Sequence, residues 1–142
     1  MSDTSQDYFL SDEWHGKTVY LINVAGRTAL DLRERNAANG TPVHGWEVNQ
    51  TVAQKWKLRK VHYNSAWSPW TLENISSGTY LDLKYGDSMD GTPVVGWNNN
   101  GHSSNARWFL IAEKRESHTV VMLQNEASYT YLDLHEGRGN NG

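Results

Sequence analysis

A Leu-Asp-Leu tripeptide recurs at a fixed interval of 51 residues, centred on Asp31, Asp82 and Asp133. At the same interval Asn23, Asn74 and Asn125 close the apolar segments upstream, and Gly40, Gly91 and Gly142 follow each Asp by nine positions. Three markers in one register define three homologous units, and a repeat of this kind constrains the fold more than any local propensity. The segments Gly40-Thr41-Pro42-Val43-His44-Gly45-Trp46 and Gly91-Thr92-Pro93-Val94-Val95-Gly96-Trp97 are near-copies in that register.

Each unit is too short to bury an apolar face by itself, and 142 residues allow one domain of ordinary size. The apolar segments are short, β-branched or aromatic, and bounded by Gly, Asn, Ser or charge. Thr18–Ile22 and Thr119–Leu123 are examples, and they read as strands. Gln54-Lys55-Trp56-Lys57-Leu58 and Ala106-Arg107-Trp108-Phe109-Leu110 read as strands that close the first and second units, with Trp56 and Trp108 turned into the core. Three units of four short strands are stable when they close around a common axis, whereas a solenoid would need capping repeats that this chain lacks. The expected fold is therefore all-β, a β-trefoil filling residues 1–142, with units at about 18–61, 68–114 and 118–142. The third unit is incomplete after Gly142; residues 6–10, with the pattern of a closing strand, or a partner chain would complete it.

Charge and cysteine content remove whole classes of function. Thirteen basic against sixteen acidic residues leave a net charge of −3, so no positive field draws nucleic acid, and the Lys55–Lys60 cluster reads as a solvated strand face. The absence of Cys excludes disulfides, thiolate metal sites and thiol nucleophiles. The six His never take the paired spacing of a metal site, no catalytic motif appears, and no cofactor or metal is expected. No apolar run of about 18 residues is present, and the acidic N-terminus does not read as a secretory leader, which gives a cytoplasmic expectation. Asn39, Asn49 and Asn74 fall in Asn-x-Ser/Thr triplets that read as turn chemistry or chance.

On these residues the chain resembles the ricin B-type β-trefoil lectins, in particular small leaderless fungal agglutinins. Gln54-Lys55-Trp56 matches the family's Gln-x-Trp motif, supported by the Leu-Asp-Leu repeats and the two Gly-Thr-Pro-Val-x-Gly-Trp segments, from Thr18 to Gly142. Ala106 in place of a second Gln and Tyr8 in place of a third Trp depart from the pattern. The resemblance implies a non-enzymatic lectin for galactose or N-acetylgalactosamine, in which a carboxylate takes two sugar hydroxyls and an aromatic ring meets the apolar sugar face. Carried over by position, the first site comprises Asp31, His44, Trp46, Asn49 and Gln54. The second comprises Asp82, Val95, Trp97, His102 and Asn105, and a vestigial third keeps Asp133 alone. Two working sites are expected, with avidity gained from a homodimer that exchanges terminal segments. A β-trefoil protease inhibitor acting through a surface loop is the rival reading, and a detached carbohydrate-binding module of a hydrolase is a third.

Overall fold

The computed structural model describes residues 9–62 and 65–134. Nine antiparallel strands are present among them: β1 (Thr18–Val19), β2 (Ala29–Leu32), β3 (Thr41–Trp46), β4 (Trp56–Lys60), β5 (Trp70–Asn74), β6 (Tyr80–Leu83), β7 (Val94–Trp97), β8 (Trp108–Lys114) and β9 (Thr119–Asn125). The described residues contain short 3-10 turns and no α-helix. The strands run in the order β1-β4-β5-β6-β7-β3-β2, and β8 joins β5 to β9.

The 51-residue register is a register of contacts. The indole N–H of Trp56 donates to the Leu30 carbonyl, and that of Trp108 to the Leu81 carbonyl, both at 2.9 Å. Asn74 and Asn125 are fully buried, and each spans two units by donating to the backbone carbonyl of Ala53 or Asn105. The turns begun by Asn23, Asn74 and Asn125 place Arg27, Gly78 and Tyr129 at equivalent left-handed positions, φ 61°, 72° and 61°. Asn49 and Asn74 accept from the amides of Thr51 and Ser76, so these two triplets are turn chemistry.

Closure of the ring is visible at two glycines. A Cβ on Gly96 would meet Leu32 at 2.9 Å, and one on Gly45 would meet Leu134 at 2.9 Å. The first unit thus packs on the second, and the third on the first, as a threefold cycle requires. The core joins Trp56, Trp70 and Trp108 to Leu32, Leu58, Leu72, Leu81 and Leu110, and Leu10 enters it beside them. Leu10 donates its amide to Leu110 O, and Phe9 bridges Ile111, so the N-terminal segment packs against β8. Residues 6–8 of that expected strand, and the segments an exchange of termini would use, lie outside the described residues.

Two expectations are corrected. Thr18–Ile22 is not one strand, because the chain changes partner within it: Val19 pairs Trp56 of β4, whereas the Leu21 carbonyl accepts from Leu30 of β2. Gln54 and Ala106 are not on strands but end the 3-10 turns Val52–Gln54 and Ser104–Ala106. That turn points the side chain at position 54 sideways toward β2, where Asp31 stands.

One repeat breaks its own pattern. Ser77 and Ser128 bond the hydroxyls of Thr79 and Thr130 at 2.6 Å, but Gly26 occupies the equivalent place in the first unit and leaves buried Thr28 Oγ1 without a partner. Gly26→Ser should restore the bond, adding about 1 kcal/mol and raising Tm by roughly 3 °C in a thermal melt.

Candidate functional site

In both complete units the central Asp sits between two leucines of a strand, so alternation turns its carboxylate to the face opposite theirs. Asp31 pairs with His44 of β3, and Asp82 with Val95 of β7. Both aspartates are buried, 6% and 4% exposed as residues. A buried carboxylate is costly unless hydrogen-bonded, so its partners decide what it can still accept.

In the first unit the carboxylate is occupied from within. His44 Nε2 lies 3.0 Å from Asp31 Oδ1, and Gln54 Nε2 donates to Oδ2 at 3.0 Å. Gln54 is pinned further, donating to Glu47 O at 2.8 Å and accepting from the Asn49 amide at 3.0 Å. Trp46 stacks on His44 with centroids 5.1 Å apart. Asn49 reaches this network through its backbone, while its side chain caps Thr51. All five expected residues gather here, but they bind one another.

The second unit lacks both internal partners, because Val95 stands where His44 does and Ala106 where Gln54 does. Among the described residues Asp82 keeps one hydrogen bond, from Asn99 Nδ2 to Oδ2 at 2.8 Å. The result is a cavity of about 190 Å³ lined by Asp82, Tyr85, Trp97, Asn99, Ser103 and Asn105. Burial raises the Asp82 pKa to about 6, with the Asn99 bond pulling the other way. Trp97 is held against the neighbouring unit, its ring 3.8 Å from where a Cβ on Gly40 would lie, and the adjacent Asn98 amide donates to Asn39 Oδ1.

Gly86 is a second support. It has φ +64°, and a Cβ there would collide with the Oδ1 of Asn105. The equivalent pair in the first unit is Arg35 with Ala53, where no amide needs the space. Gly86→Ala should therefore push Asn105 from its place and cost about 1–2 kcal/mol of stability, read by chemical denaturation.

Of the expected second-site residues, Asp82, Trp97 and Asn105 line the cavity. Val95 is buried and His102 exposed, and neither lines it. The His102 backbone amide instead closes the loop turn by donating to Asn99 O. Asp133 is exposed, unlike its two counterparts. Tyr85, Asn99 and Ser103 were not expected. The available signal was loop length: Trp97 to Trp108 is one residue longer than Trp46 to Trp56, which accompanies delivery of an Asn side chain to the carboxylate.

A threefold all-β ring of short antiparallel strands is a β-trefoil, and this one presents a buried carboxylate beside an indole and two amides. More narrowly, the chain belongs to the ricin-type β-trefoil lectin domain-like family, whose model matches residues 4–97 and 52–142. The Rhizoctonia solani agglutinin is similar at 27% identity and TM-score 0.67, over 89% of this chain and 80% of that one. The Macrolepiota procera ricin B-like lectin, solved in complex with lactose, is similar at 24% identity and TM-score 0.63, over 90% and 82%. The designed threefold-symmetric protein ThreeFoil superposes with TM-score 0.76 at 21% identity, over 88% and 84%, a likeness of fold. No curated protein sequence matches the chain.

Proposed function

We propose that the chain is a non-enzymatic lectin for terminal galactose or N-acetylgalactosamine, with the second-unit pocket as its principal site. The observation that carries this reading is the contrast between the two carboxylates. Both Asp31 oxygens are held by His44 and Gln54, whereas Asp82 faces a cavity and, among the described residues, accepts from Asn99 alone. A carboxylate with free acceptor capacity takes two neighbouring sugar hydroxyls, Asn105 offers an amide, and Trp97 offers a ring to the apolar sugar face. Galactose has such a face opposite its axial hydroxyl. The first site binds more weakly, because a hydroxyl there must share or displace bonds already made. The lactose complex of the Macrolepiota procera lectin supports the same sugar class.

The expected result is retention on galactose-agarose, with elution by free galactose and not by glucose. Passage through the column unretained overturns the reading. Two copies associate to give avidity, so sedimentation at high micromolar concentration should report about twice the 16.1 kDa chain mass, and a monomer would refute the dimer.

A further inference from the structure

Tyr85 is the least expected member of the pocket. It lies in the 3-10 turn after β6 at φ 56°, ψ 12°, a left-handed conformation that a bulky side chain adopts at a cost. Its first-unit counterpart Glu34 has nearly the same backbone, φ 53°, so the turn and not the residue sets the geometry, and the ring is an addition to it. Tyr85 is 79% exposed although it lines a cavity. Most of the ring therefore stands outside, at the mouth, with the Lys84 ammonium 5.7 Å from its centroid. Trp97 and the buried Asp82 stand within the pocket.

We infer that Tyr85 and Lys84 form a second subsite that holds the sugar residue next to the terminal one, making the second-unit pocket a site for a disaccharide or longer glycan end. This inference rests on the sugar-binding reading of the Asp82 pocket. A terminal ring bound to Asp82 directs its glycosidic oxygen either inward or outward, and only the outward direction leaves room for a chain. A ring exposed at that mouth offers an apolar plate to the next residue, and the adjacent ammonium donates to its hydroxyls. The first unit, with Glu34 at this place, has no such plate.

The test compares lactose with methyl β-galactoside by titration calorimetry on the native chain, Tyr85→Ala and Tyr85→Glu. The native chain should bind lactose about tenfold more tightly than the methyl glycoside. In both variants that ratio should fall to about one, whatever loss the two ligands share. A ratio near one in the native chain, or a tenfold ratio that survives in Tyr85→Ala, overturns the subsite while leaving the terminal-sugar reading intact. Absence of binding by either ligand to the native chain overturns both.

Discussion

Asp82→Asn should abolish binding of galactose-type sugars at the second-unit pocket and at the same time make the protein more stable at pH 7. The two effects share one cause. Burial raises the Asp82 pKa from 3.8 to about 6, so at neutral pH the fold carries a carboxylate charge it disfavours. The sign follows from proton binding: between about pH 4 and 6 the folded chain binds more protons than the unfolded chain. This group's contribution to stability is therefore fully present below about pH 4 and is lost as pH rises through 6. The neutral amide removes the charge and still accepts the Asn99 hydrogen bond, so a gain of about 1–3 kcal/mol is expected at pH 7, shrinking toward zero near pH 4. Loss of the charged acceptor should weaken sugar binding by about hundredfold or more. Denaturation curves at pH 4 and 7, with a sugar titration at pH 7, check both halves. In the native chain, sugar affinity should fall about tenfold per pH unit once the pH is well below 6, as protonation withdraws the acceptor.

The largest loss of stability should come from Trp108→Ala. The indole is 1% exposed within the core shared by the three units, and its N–H satisfies the Leu81 carbonyl. Truncation leaves a cavity the size of a double ring and a carbonyl without its partner, about 3–5 kcal/mol for the cavity alone. A domain of this size has about 5–15 kcal/mol in total, so Trp108→Ala should melt far below the native chain or fail to fold at 37 °C. Trp56→Ala, which orphans the Leu30 carbonyl in the same way, should behave alike. A mild loss in either would contradict the shared core.

Features repeated for packing were legible in the sequence because packing repeats. Leu32 and Leu134 meet glycines in the same way, and Trp56 and Trp108, one residue out of the 51-residue period, make the same bond to Leu30 and Leu81, which keep it. The candidate site was legible only in part, because function and repeat diverge there. His44 was expected to meet sugar, and its ring also meets Asp31, which the period did not announce, since a hairpin places the two side chains directly opposite and a carboxylate takes the nearest donor. Tyr85 carried no repeat signal, because its counterpart is Glu34. Asn99 was hidden in a loop one residue longer than its equivalent, where period no longer assigns position. His102 was expected to line the pocket from the same loop, but the Asn99–His102 turn leaves it exposed.

The central claim is that the second-unit pocket around Asp82 holds a galactose-type sugar. Its most direct test is a Trp fluorescence titration with N-acetylgalactosamine and with glucose, on the native chain, Asp82→Asn and Asp31→Asn. The account predicts that N-acetylgalactosamine shifts the native emission and glucose does not, that Asp82→Asn loses most of the shift while folded, and that Asp31→Asn retains most of it. An unchanged response in folded Asp82→Asn, or no response to either sugar in the native chain, would contradict it.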